Sequence, residues 1–169
     1  MDSMYDRELV KPMWQELDAV GVRSLNSGAE VDEAMKAAGT TLVMVNSVCG
    51  CAAGNARPGV ALALQNSKIP NQSYTVFAGV DREATDKARG YMSEVPPSSP
   101  SVALFKDGKL IYMLERKHIE GNDPQTIAKH LAAAFDQVCD AKGPSVSEEV
   151  FKKTFTGADP ACGSTFRVM

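Results

Sequence analysis

The chain has 169 residues and a formal net charge of −3, with 44% hydrophobic and 23% charged residues, the range of a globular domain long enough to close a core. With no basic run and 7% aromatic residues, nothing favours nucleic-acid binding, and no apolar window reaches the length of a membrane span. The opening MDSMYDRELVKPMW has acids and a proline where a secretory leader needs a basic flank, so a reducing cytoplasm is expected, where four cysteines point to metal or redox chemistry rather than a disulfide framework.

Leu9, Met13, Leu17 and Val20 recur at helical spacing and predict an amphipathic helix over 3–20, stopped by Gly21. A short helix is predicted over Gly28–Ala38, with Val31 and Met35 on one face and Gly39 closing it. TTLVMVNSV then runs apolar and β-branched without interruption, the pattern of a strand covered on both faces. Helical spacing returns over Ala52–Gln65 through Ala56, Val60, Leu62 and Leu64, with Pro58 inside the segment as a kink.

SYTVFAG, residues 73–79, predicts a second strand, and DREATDKARGYM a helix with Asp81 as its N-cap. After the irregular SEVPPSSP comes a hairpin, VALF and LIYML joined through Asp107-Gly108. Asp123 caps a last long helix reaching Cys139, with Pro124 at its first position and Ile127, Leu131, Phe135 and Val138 inward. DAKGPSVSEE reads as a linker, followed by a short helix up to Thr156 and the tail GADPACGSTFRVM. This order predicts an α/β domain over 1–139, with a central four-stranded mixed sheet between helices, an N-terminal helical extension and a linker and tail over 140–169.

The chemistry gathers at Cys49-Gly50-Cys51, where the strand gives way to a helix. Unpaired N–H groups and the dipole at a helix N-terminus favour a thiolate over a thiol. No Lys, Arg or His lies within five residues of the pair, so the helix end is expected to supply most of the local activation. Gly50 lets the backbone bend, and Ala52, Ala53 and Gly54 leave room for a partner. A disulfide between residues i and i+2 closes a small strained ring, suited to rapid opening rather than stapling. The plainer alternative is two small buried residues at a strand–helix junction. A structural zinc site needs about four ligands, and neither His118 nor His130 stands at ligand spacing; a two-thiolate site for monovalent copper stays open.

Ser99-Pro100 directly before the hairpin, in SSPSVALFKDGK, resembles the thioredoxin superfamily, in which a cis-proline lies beside the active-site cysteines. Pro58 fits the kinking proline of that superfamily's active-site helix. VNSVCGCAAGNARPGV, FAG with the following D and EAT, PPSSPS, and a helix ending FDQVC together resemble the bacilliredoxin family, also described as CxC disulfide isomerases, from about Tyr5 to Cys139. The resemblance implies a thiol–disulfide oxidoreductase that removes bacillithiol from mixed disulfides on client proteins, with neither metal nor organic cofactor. It implies Cys49 as nucleophile, Cys51 as resolving thiol and Pro100 as cis-proline, with Ser99 and Gly50 at the substrate. Cys139 matches a cysteine closing the family's last helix, and both it and Cys162 are possible auxiliary thiols; burial is the equal alternative for Cys139. Arg57 is either a contact for a carboxylate of the small thiol or, more simply, a surface arginine. A general isomerase or weak reductase, a copper chaperone and a non-catalytic thioredoxin-like module are the competing functions.

Overall fold

The computed structural model describes residues 3–155. Its elements begin with α1 (Arg7–Asp18), β1 (Arg23–Ser24), α2 (Gly28–Lys36) and β2 (Thr40–Asn46). A π-helical turn over Ala52–Ala56 leads into α3 (Arg57–Ala63), then β3 (Lys68–Ile69), β4 (Gln72–Phe77) and α4 (Arg82–Gly90). The hairpin β5 (Ser101–Lys106) and β6 (Lys109–Leu114) precedes α5 (Arg116–Ile119), α6 (Pro124–Val138), β7 (Ala141–Lys142) and α7 (Glu148–Phe155).

β2 is buried along its whole length because helices cover both of its faces. It pairs in parallel with β4 and antiparallel with β5, giving the sheet order β1-β4-β2-β5-β6. The period-two alternation of side chains splits it cleanly: Leu42 and Met44 join a core with α3, α6 and α7, while Val43 and Val45 join another with α2 and α4. The α/β fold is the expected one. The sheet carries one strand more than predicted, because the two residues of β1 are too few to show any periodicity.

The hairpin turns as its sequence requires, with Asp107 at φ 49° and Gly108 at φ 76°. Asp123 caps α6 by accepting from the Thr126 N–H at 2.7 Å. Gly59 allows α3 to lie against α6, since a Cβ there would fall 2.7 Å from the Ile127 side chain.

The structure departs from the expected detail in α1 and at the start of α4. Leu9 is 75% exposed, and the inward stripe of α1 is Val10, Met13 and Leu17. Leu9 sits one residue, or about 100°, off that stripe. Asp81 does stand at the N-cap position of α4, but its side chain makes no capping bond; it is buried and pairs with Arg7 at 2.5 Å, tying α1 to the start of α4.

The segment expected as a linker instead builds structure on the body. β7 pairs antiparallel with β3, the Ser145 N–H donates to the Leu64 carbonyl at 2.9 Å, and Ser145 Oγ donates to the Val20 carbonyl at 2.8 Å. The expected short helix is α7, and its Phe155 is 1% exposed, packed into the core beneath α3 beside the ring of Phe151. Phe155→Ala should therefore cost about 3–5 kcal/mol, the range for an emptied aromatic core site, read as a lower urea midpoint with little change in slope. Retention of the wild-type midpoint would mean that α7 contributes nothing to the body.

Candidate active site

Strand pairing assembles the site before any side chain is considered. Asn46 at the end of β2 lies beside Phe77 of β4, and Val45 lies opposite Ser101 of β5. The segment after β2, which carries both cysteines, is thereby flanked by Gly79 on one side and by Ser99-Pro100 on the other. The Ser99–Pro100 bond is cis and Pro100 is buried.

Cys49 and Cys51 are both free and half-buried, with their sulfurs 3.4 Å apart. Helical turns open on them: the N–H groups of Ala52 and Ala53 both donate to the Cys49 carbonyl at 3.1 Å. The next turn is wide, and the Arg57 N–H reaches back five residues to the Ala52 carbonyl. This is the local answer to Pro58, which has no N–H to donate and whose ring would crowd the carbonyl four residues before it. The predicted kink is thus a π turn. Gly50 opens the helical turn directly after the bend at 48–49 and does so without the positive φ found at Gly21, Gly39, Gly79, Gly108 and Gly121. Chain neighbours aside, a Cβ at Gly50 would meet nothing within 4 Å, so the residue borders open space.

The two thiols differ electrically. Burial disfavours the thiolate at Cys49 but is outweighed by the Ser47 hydroxyl, the Ala52 N–H, the Cys51 thiol and the charge of Arg116, which hold its pKa below the ordinary cysteine value. At Cys51, burial comes first, and the hydrogen bond to Cys49 and the charge of Cys49 also push the thiol up; Arg116 opposes them weakly. Their surroundings thus favour the thiolate at Cys49 and the thiol at Cys51.

Arg116 is the cation that local sequence could not reveal. It opens α5, 65 residues beyond Cys51, and its Nη1 donates to the Ser99 carbonyl at 3.1 Å while its backbone N–H donates to Ser98 Oγ at 3.2 Å. Asn55 in the π turn secures the same neighbourhood by donating to the carbonyls of Ile119 and Asn122.

Arg57 is not a surface arginine: it is 0% exposed. Its Nε donates to Glu16 Oε1 of α1 at 2.6 Å, and its Nη1 donates to Asn46 Oδ1 at 3.0 Å and to the Ser47 carbonyl at 2.8 Å. Asn46 Oδ1 also accepts from the Ser47 N–H, and Asn46 Nδ2 donates to the Met13 carbonyl. The Cys49 N–H in turn donates to Ser47 Oγ at 3.2 Å. A bound small thiol cannot meet Arg57 here, because the guanidinium lies beneath the loop. Sequence reasoning passed over Glu16 and Asn46, although an acid three residues after Met13 on a buried helix face and an amide ending an apolar strand were visible signals.

Cys139 does not join the site. It is 1% exposed, burial pushes its thiol up, and it contacts Thr40 at the far end of β2. Seven strand residues, roughly 20 Å at about 3.3 Å each, lie between it and the active-site loop. Cys162 lies outside the described residues, and His118 is exposed, its Nδ1 accepting from the Glu115 N–H. Among the described residues no group of three or more His, Cys, Asp or Glu side chains is gathered as metal ligands, and no helix is long and apolar enough to cross a membrane.

Burial pushes the Glu16 carboxyl up to about 7 against the pull of Arg57. Its folded pKa lies above the unfolded one, so between pH 4.5 and pH 7 the folded state holds the proton more tightly and stability falls as pH rises. Glu16→Gln should flatten that fall, which amounts to at most about 3 kcal/mol, in urea midpoints measured across the window; parallel curves would rule it out. Arg116→Gln should raise the pKa of Cys49 followed by alkylation rate against pH, with an effect that shrinks as salt is added. An unchanged profile at low salt would remove Arg116 from the activation of Cys49.

Comparison with known proteins agrees with this geometry. A protein-family model described as disulphide isomerase matches residues 5–139. The bacilliredoxin of Cytophaga hutchinsonii is 50% identical over 135 residues, covering 80% of this chain and 100% of that protein. The bacilliredoxin of Salinibacter ruber is 48% identical over 143 residues, covering 83% of this chain and 84% of its own. A mutant thioredoxin from Halobacterium salinarum superposes with a TM-score of 0.50 over 74% of this chain and 96% of its own, at 12% identity, which speaks to the fold alone. Identity of this extent, joined to a thioredoxin fold carrying a free vicinal thiol pair, means that the chain belongs to the bacilliredoxin family of thiol–disulfide oxidoreductases.

Proposed function

We propose that the protein removes a low-molecular-weight thiol, bacillithiol by family resemblance, from mixed disulfides on client proteins in the cytoplasm. The observation that carries this reading is the inequality of the two sulfurs, lowered pKa at Cys49 and raised pKa at Cys51, 3.4 Å apart. Cys49 thiolate attacks the small thiol's sulfur; a new S–S bond forms on Cys49 and the client thiolate leaves, taking a proton from water. Cys51 then loses its proton and attacks Cys49 Sγ, releasing the small thiol as its thiolate. The resulting Cys49–Cys51 disulfide, closed over one intervening residue, is returned to the dithiol by two further equivalents of small thiol, which leave joined as their own disulfide. Pro100 and the Ser99 backbone, steadied by Arg116, line the approach, and the space over Gly50 admits the incoming disulfide. No metal or organic cofactor takes part in these steps.

The same inequality serves a second reaction. A Cys49 thiolate with a reluctant neighbour can also shuffle protein disulfides, as the description of the matching family suggests. Turnover of a bacillithiolated protein measured beside a scrambled-disulfide substrate separates the two.

Cys51→Ala, given a bacillithiolated client, should accumulate one thiol adduct on Cys49 by mass spectrometry, and Cys49→Ser should accumulate none. A Cys51→Ala protein that stays unmodified while the client keeps its adduct would sink the proposal.

A further inference from the structure

One hollow, set against the loop that carries the cysteine pair, takes no part in the exchange steps above. It has a volume of ≈270 Å³ and is walled by Tyr5, Ser47, Val48, Gly79, Arg89 and Ser99. Its position is set by the strand ends: Val48 and Ser47 come from the loop that carries Cys49, Gly79 from the end of β4, and Ser99 from the segment before β5. The N-terminal segment forms the outer wall. The Met4 N–H donates to the Gly79 carbonyl at 2.7 Å, and the Tyr5 ring lies over Gly79, where a Cβ would fall 2.8 Å from a ring carbon. Gly79 also has φ +82°, so both its conformation and its bareness are required for that wall.

The hollow contains a cation and hydroxyls without matching anions. Arg89, in the last turn of α4, has a buried Nε with no hydrogen-bond partner among the described residues, and no carboxylate there pairs with its guanidinium. Leaving a buried donor unmet is costly, and the planar fork of a guanidinium suits a carboxylate above other anions of that size. Ser47 Oγ accepts from the Cys49 N–H and its hydroxyl serves the Cys49 sulfur, while the Ser99 hydroxyl has no partner among the described residues. Arg116, on the other side of Ser99, is differently placed, since its guanidinium is already engaged by the Ser99 carbonyl and by Glu120 at 3.6 Å. The volume suits a group the size of an amino acid or hydroxy acid and excludes a folded partner.

We propose that this hollow is the recognition site for the non-sulfur portion of an acidic, hydroxylated low-molecular-weight thiol, whose carboxylate pairs with Arg89 while its sulfur lies at Cys49. The inference rests on the function proposed above and adds a reason for its direction. In a mixed disulfide either sulfur can be attacked, and the outcome depends on which one is presented. A small thiol seated in the hollow offers its own sulfur to Cys49, so the new bond forms there and the client thiolate departs.

The test uses the full chain carrying Cys51→Ala, so that the adduct on Cys49 persists and can be located by peptide mass. Two probes share the same sulfur chemistry: glutathione disulfide, and the disulfide of glutathione diethyl ester, whose carboxylates are capped. The quantity read is the ratio of their rate constants for modifying Cys49. Arg89→Gln should lower that ratio about tenfold, the effect of one lost charge-assisted hydrogen bond, while Arg82→Gln, which removes an equal charge from the exposed first turn of α4, should leave it near the parent value. A ratio unchanged by Arg89→Gln, or lowered equally by Arg82→Gln, overturns the site and leaves the proposed exchange standing. Absence of a Cys49 adduct with either probe in the parent overturns the exchange itself.

Discussion

A buried guanidinium shapes the redox loop. Arg57 reaches from the start of α3 back under the end of β2 and holds an acid from α1, the side chain of Asn46 and the carbonyl of Ser47 at once. Taking a charge out of water is tolerated only when its donors are met by well-placed acceptors. Here those acceptors come from three separate elements, so satisfying one side chain fixes the relative positions of α1, β2 and the active-site turn. Ser47, placed in this way, receives the Cys49 N–H and stabilises its thiolate, so the Cys49 sulfur inherits its position from a group it never touches.

Above that foundation the two sulfurs are unlike. Both sit at the same helix opening and both are half-buried, yet their surroundings push them in opposite directions. The sulfur nearer the strand collects the hydroxyl and the N–H, and the farther one mainly meets its neighbour's charge. Arg116 acts on both from the solvent side, and the pair in turn raises the pKa of Arg116. The charge balance of the site therefore comes from beneath through Arg57 and from above through Arg116, with the helix end as only one contributor.

Much of this was legible in the residues, and the limits are physical. The buried strand, the Asp107-Gly108 hairpin and the capped last helix are local patterns, and local patterns survive folding when tertiary contacts agree with them. The cysteine pair stands out by residue type alone. Arg57 was misjudged because arginine is ordinarily a surface residue, and the acid that makes its burial tolerable lies 41 residues away. Arg116 reaches the site only through the lengths of two strands and a turn, which no spacing rule measures. The segment after Cys139 has the composition of a linker, but a two-residue strand and one phenylalanine suffice to bind it to the body.

The π turn gives the distance between Cys51 and Arg57 a second meaning. A wide turn holds one residue more than an α turn, so the residues before it are rotated by about 100° relative to those after it. The half-buried cysteines stay at the surface and the fully buried arginine faces the interior, although both belong to one nearly continuous helix. The separation between them is thus a matter of phase as well as of length. An α-helical path of the same residue count would span the same gap in the chain but point one of the two groups the wrong way.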